Sequence, residues 1–176
     1  ALFGFFSYMS DYLRTVTEVS YSVISILLMI YGLANITGNV IAGKQLATNP
    51  IRSMIFIPFA LFTFYICIFI LGEWLAAMTV IILILGILAG YGQNTMQYMI
   101  TEAAPEAPDF ANGLFLLSAN LGTTVGAAAC GAFITFFDTR YSVIGSLLFL
   151  AVSIVFVVLR IRTVQSSKTM GLKVAA

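Results

Sequence analysis

Uncharged residues fall in five long blocks, Val19–Gly43, Ser53–Gly72, Trp74–Thr101, Phe110–Phe137 and Tyr141–Leu159, and the eight basic and seven acidic side chains lie only between or outside them. At about 1.5 Å per residue, each block crosses a hydrocarbon layer roughly 30 Å thick as a single helix. A charge at the centre of such a helix costs about 2.5–3.5 kcal/mol even on the mild insertion scale. Its absence from five successive windows predicts a polytopic, all-α membrane protein with helices over about 20–43, 53–71, 75–100, 110–136 and 141–161. A shorter apolar segment opens the chain, Ala1 to Met9 (ALFGFFSYM), without an initiator methionine or a basic start. As helix it reaches only about 14 Å, and it lacks the charged start and small-residue cleavage site of a signal peptide. It reads as the outer end of a helix (about 1–9) that begins upstream. The expectation is a fragment of a longer protein: a six-helix bundle over 1–163 with its first helix truncated, then a polar tail, 164–176.

The connections are short and polar, as between antiparallel neighbours. Ser10–Glu18 carries Asp11, Arg14 and Glu18; Lys44–Arg52 contains Pro50; Glu73 precedes Trp74, an indole suited to the membrane interface; Thr101–Asp109 (TEAAPEAPD) must leave the bilayer; Asp138-Thr139-Arg140 is a tight turn. Lys and Arg alone set orientation. Lys44, Arg52, Arg160, Arg162, Lys168 and Lys173 lie on one side, Arg14 and Arg140 on the other, so the tail is expected in the cytoplasm.

Composition sharpens the class. Apolar residues make up 61%, charged residues 9%, mean hydropathy is +1.05 and histidine is absent, whereas a soluble domain carries about 25% charge. A net charge of +1 with no Lys/Arg cluster excludes nucleic acid as a partner. Cys67 and Cys130 sit inside apolar spans without metal-ligand spacing and read as small core residues. No acid or base lies at membrane depth, Ser and Thr have no base to activate them, and there is no phosphate-binding loop. An enzyme is not expected, nor a cofactor or metal. Transport or a structural role remains.

The spans do carry small and amide residues at helical spacing. Ser25, Gly32, Asn35, Asn39 and Gly43 share a face of the second helix; Gly86, Gly90, Gln93 and Gln97 form a stripe on the fourth with Asn94 beside it; Asn112, Asn120 and Thr124 share a rough face of the fifth, where Gly122, Gly126 and Cys130 repeat every four residues. The glycines, Gly32, Gly86, Gly90, Gly122 and Gly126, read as sites of close helix packing. Buried amides can also bridge helices, at about 0.6 kcal/mol each. Gln93, Asn94 and Gln97 within two turns, however, bring more donors and acceptors than packing needs in hydrocarbon. They predict a wet cavity for a polar, uncharged small molecule, with contacts from Asn35, Asn39, Gln93, Asn94, Gln97 and Asn120 and apolar or stacking surface from Tyr8, Tyr31 and Phe115. Pro58, among Phe56, Phe59, Phe62 and Phe64, can kink the third helix, which reads as a lipid-facing support.

Three stretches carry a resemblance: Tyr31–Asn39 (YGLANITGN) running into Gly43–Ala47; Ala104-Pro105-Glu106-Ala107; and Ala111-Asn112-Gly113 through Ser118–Gly122 to Gly126. Together they resemble the C-terminal half of a major facilitator superfamily transporter, nearest to the bacterial proton-driven drug and sugar efflux branch, up to about Arg162. The resemblance implies the last six of twelve helices in a bacterial inner membrane. Of these, helices seven, eight, ten and eleven would line a midplane cavity, and nine and twelve would face lipid. It implies efflux by alternating access, coupled to protons through acids in the absent N-terminal half. Of the family's gating motif, Gly43, Leu46 and Arg52 fit, but Thr48 and Asn49 replace its Asp and Arg, which removes the charge pairing. An importer or facilitator, and a non-transporting scaffold or half-transporter subunit, are the alternatives.

Overall fold

Two prolines start helices rather than break them. Pro50 and Pro108 each occupy a first helical turn, where a missing N–H has no intrahelical partner to lose, and Asp109 adds negative charge at the positive end of the second of these helices. The computed structural model describes the backbone of residues 1–174 and the side chains of 1–159 and of Arg162. Its helices are α1 (Leu2–Thr15), α2 (Tyr21–Thr48), α3 (Pro50–Leu71), α4 (Leu75–Ala103), α5 (Pro108–Phe136) and α6 (Ser142–Val174), with a single 3-10 turn, Thr139–Tyr141, before the last. There is no strand among the described residues.

The helices overrun the uncharged blocks. α1 continues to Thr15 rather than ending near Met9, and α2 runs through Lys44 to Thr48, stopping before Pro50. α4 reaches Ala103, and α6 passes 161 to take in the expected tail as far as Val174, while residues 175–176 lie outside the described residues. The reason is physical: freedom from charge marks hydrocarbon depth, whereas a hydrogen-bonded ladder continues into water until a proline or turn stops it. The connection expected over Ser10–Glu18 therefore shrinks, with Asp11 and Arg14 on the helix. α3 is continuous through Pro58, whose ring is buried.

α1 is only 14 residues long, about 21 Å, yet one face of it is fully buried in the bundle. Phe5, Met9, Tyr12 and Leu13 are at most 2% exposed. α1 packs chiefly on α5, and α2 lies along α4. α3 and α6 pack on each other behind α4 and α5. At one end, the Tyr12 hydroxyl donates to the Ile68 carbonyl (3.0 Å) and Thr17 Oγ1 to the Gly72 carbonyl (2.7 Å).

Many outward-facing side chains are large and apolar. Ile26 and Leu33 on α2, Ile70 on α3, Val80 on α4 and Phe156 on α6 are each more than half exposed. Apolar surface of this extent would associate in water and is at rest in hydrocarbon. Hydroxyls on these helices are satisfied by their own backbone, as where Thr63 donates to the Phe59 carbonyl (3.0 Å) and Thr79 to the Leu75 carbonyl (2.9 Å). Five of the helices are long and apolar enough to cross a bilayer, and the protein is integral to the membrane.

Candidate functional site

The seam between α2 and α4 is built on contact between backbones. A Cβ at Gly86 would lie 2.5 Å from the Tyr31 carbonyl oxygen; one at Gly90 would strike the Asn35 carbonyl oxygen, and one at Gly38 that of Ile87. Ala34, Gly38 and Ala42 are buried at four-residue spacing on α2, opposite Gly86 and Gly90. Small residues every fourth position let two helices approach closely enough for short side chains to reach across.

Asn94, one turn beyond Gly90, uses that proximity. Its Nδ2 donates to Asn39 Oδ1 on α2 and to the Gly90 carbonyl (3.2 Å), while Asn39 Nδ2 donates to Asn35 Oδ1 at 3.2 Å. Asn35 and Asn94 are half-buried and Asn39 is exposed. Three of the expected cavity amides thus form one chain along an open edge of the seam. A fourth, Gln97, turns the other way and donates to Asn112 Oδ1 on α5 at 3.1 Å. The stripe Gly86–Gly90–Gln93–Gln97 is therefore divided: the four-residue spacing Gly86–Gly90–Asn94 meets α2, and Gln97 meets α5.

Other expected site residues are not joined to this chain. Asn120 donates to the Leu116 carbonyl of its own helix (2.8 Å). Gln93 and Phe115 are half-buried on α4 and α5. The Tyr8 hydroxyl lies against Gly131 of α5, serving the α1–α5 contact. Tyr31 stacks on Phe6 of α1, with centroids 5.0 Å apart and planes 27° from parallel. Phe6 had no signal of its own, being one of three phenylalanines within four residues, Phe3, Phe5 and Phe6. Asn112, by contrast, sits on the amide face of α5 already apparent from spacing.

The packing glycines need one correction. Gly86 and Gly90 do face α2, and Gly126 faces Gly4 of α1, where a Cβ on Gly4 would come within 2.8 Å of the Gly126 carbonyl oxygen. Gly32 and Gly122 have no atom within 4 Å of where a Cβ would stand. On α2 the contact glycine is Gly38, six residues on and so about two-thirds of a turn round the helix from Gly32. The small-residue repeat Ala34–Gly38–Ala42 is the signal that identifies it.

A half-open depression lies elsewhere. It measures roughly 400 Å³ and is lined by Thr15, Val16, Thr17, Glu18, Glu73, Asp138 and Arg140, at the end where α1 meets α2. Arg140 there pairs with Glu73 at 2.6 Å and donates to the Phe69 carbonyl at 2.9 Å. Among the described residues no group of His, Cys, Asp and Glu is arranged to hold a metal ion.

Comparison with known proteins identifies the architecture. The family model described as Major Facilitator Superfamily matches residues 1–173. The chain is 27% identical over 128 residues to "Transcription regulatory protein OpdE" of Pseudomonas aeruginosa, which covers 70% of this chain and 32% of that protein. It is 24% identical over 160 residues to "Probable sugar efflux transporter" of Pasteurella multocida (90% and 39% covered). It is 30% identical over 131 residues to "Uncharacterized MFS-type transporter YtbD" of Bacillus subtilis (71% and 33% covered). The chain therefore spans between 32% and 39% of the length of these relatives. No solved structure matches it.

Proposed function

The chain belongs to the major facilitator superfamily, and from that membership we propose that it forms one wall of a transporter for a small, uncharged molecule, exported by alternating access. In this reading α1, α2, α4 and α5 border a central cavity shared with a second bundle, and α3 and α6 face lipid. The observation that carries it is the chain Asn35–Asn39–Asn94 on an open edge, inside the uncharged spans of α2 and α4. Amides there present both donors and acceptors to a ligand where lipid would give them nothing. Export is the direction favoured by relatives whose names read "Probable sugar efflux transporter".

The driving force is a proton gradient, and the acids that bind the proton lie outside this chain, whose own spans carry none. The protein sits in a bacterial inner membrane with its C-terminus in the cytoplasm, by the excess of Lys and Arg on that side. Inverted membrane vesicles containing the protein, expressed from its whole open reading frame, test this directly. A pH gradient, acid inside, should drive labelled sugars or drugs into the vesicles, and a protonophore should abolish uptake. Uptake that ignores the gradient and merely equilibrates identifies a facilitator.

A non-transporting membrane role is the second reading, favoured by the relative named a transcription regulatory protein. It predicts no solute movement in the same vesicles under any gradient.

A further inference from the structure

Two exposed stripes end in arginine. On α3, Arg52, Phe56, Phe59 and Thr63 are exposed and stand four, three and four residues apart; on α6, Val152, Val155, Leu159 and Arg162 are exposed and stand three, four and three apart. That spacing keeps each set on one face of its helix. α3 and α6 pack on each other in opposite directions, and near one end the Phe69 and Tyr141 rings meet edge to face, 6.0 Å apart. Counted inward from that contact, Arg52 is level with Val158, and Arg162 lies only about 6 Å beyond. The two arginines therefore close the same end of one helix pair, whose axes stand about 8–10 Å apart. No acid neutralises them: among the described residues the ion pair is Arg140–Glu73, at the other end. Glu102, Glu106 and Asp109 belong to the connection between α4 and α5. The first turn of α3 has no acid and Asn49 gives it no side-chain cap, whereas α5, which also starts at a proline, has Asp109 at its positive end.

We infer that Arg52 and Arg162 hold the phosphate of an anionic phospholipid, whose acyl chains lie along Phe56 and Phe59 of α3 and Val155 and Leu159 of α6. The inference needs the membrane setting and not the transport reading. Both arginines stand where an uncharged block gives way to charge, which is the depth of the lipid headgroups. A guanidinium presents a planar fork that meets two phosphate oxygens at once and sheds its water more readily than an ammonium. Arg160, two residues before Arg162, adds to the positive charge there. A zwitterionic headgroup brings an ammonium of its own, which the arginines repel. Free phosphate satisfies the forks but leaves both apolar stripes uncovered. The positive-inside bias asks only for charge at this end, which lysine supplies equally well, and it sets no preference among headgroups.

The test uses protein expressed from the whole open reading frame and purified in detergent. It is titrated with phosphatidylglycerol, cardiolipin, phosphatidylethanolamine and inorganic phosphate; bound lipid is counted by native mass spectrometry and melting is recorded alongside. Each arginine is expected to contribute about fivefold, so the two anionic lipids should bind about thirtyfold more tightly than phosphatidylethanolamine. Arg52→Gln and Arg162→Gln should each cut that preference about fivefold, and the double variant should abolish it. Lys44→Gln, the same loss of charge on α2, should leave it within about twofold. If the double glutamine variant does not fold, Arg52→Lys with Arg162→Lys keeps the charge without the fork and should weaken anionic lipid about threefold. A preference that survives loss of both arginines, or is untouched by the lysine pair, overturns the site. So does an equal loss in Lys44→Gln, which identifies a diffuse charge effect. Inorganic phosphate that raises melting as much as phosphatidylglycerol at the same concentration identifies an anion site without a lipid, and again overturns it. None of these outcomes bears on export, which the vesicle assay reads.

Discussion

Asn94 on α4 donates its side-chain amide to Asn39 on α2, across a gap that Gly38, Gly86 and Gly90 keep narrow. The bond can span the seam because the backbones touch, so packing and polarity are one feature here. Asn39→Ala and Asn94→Ala should each lower transport sharply, yet their coupling in a stability cycle should be about 0.6 kcal/mol and at most about 1.7, the range for amides between membrane helices. A transport loss far larger than the melting change identifies contact with solute. Proportional losses identify a bond that serves packing alone.

The glycines give a prediction with an internal control. Gly38→Ala forces a methyl group into the Ile87 carbonyl, where the nearest atoms are backbone and cannot swing aside. Overpacking of this kind costs about 1–3 kcal/mol. Gly32→Ala, on the same helix, enters open space and should be neutral or slightly stabilising through helix propensity. Melting temperatures in detergent should separate the two clearly, and equal melting would mean that α2 does not cross α4 at Gly38.

This contrast shows where reading the sequence works and where it stops. The spans were legible because a charge in hydrocarbon is costly at any rotation of a helix, so its absence needs no tertiary knowledge. Helix ends were less so, since nothing electrostatic stops α2 at Gly43 and the ladder runs on to Asn49 before Pro50. Asn35, Asn39 and Asn94 were legible as amides within apolar spans, and their linkage depends on the crossing point of two helices. That point is fixed by Gly38, which a reading of glycines alone passes over for Gly32 and Gly43, because its four-residue repeat is completed by alanines, Ala34 and Ala42. Phe6 was hidden for a related reason: Phe3, Phe5 and Phe6 look alike in a chain, and only the position of α1 decides which one meets Tyr31.

Tyr91 separates structure from function. Its hydroxyl shares a 2.7 Å hydrogen bond with Ser53 Oγ, and Tyr91 is 7% and Ser53 1% exposed. The bond ties α3 to α4 behind the amide edge. Tyr91→Phe leaves the Ser53 hydroxyl with its own helix carbonyl at Asn49 as partner, so the cost should be about 1 kcal/mol. Melting should fall accordingly while the KM for any transported solute stays unchanged. A changed KM would place Tyr91 among the groups that contact solute.

At the opposite end from Lys44, Arg140 does three things at once. It pairs with Glu73, donates to the Phe69 carbonyl and sits over the Phe69 ring, 5.3 Å from its centroid. The ion pair is the least of these, since its side chains are 35% and 59% exposed, and such pairs are worth about 0–1 kcal/mol in water. Glu73→Gln should therefore change melting little, and what it does change should vanish with added salt. Arg140→Gln removes the carbonyl bond and the ring contact as well, so it should lower melting clearly more, and salt should not erase the difference. Lysine at this position keeps the charge without the planar fork that serves carboxylate, carbonyl and ring together. Arg140→Lys should thus resemble Arg140→Gln more than the native protein. If it melts like the native protein instead, charge alone holds the α3–α4 turn to the α5–α6 turn.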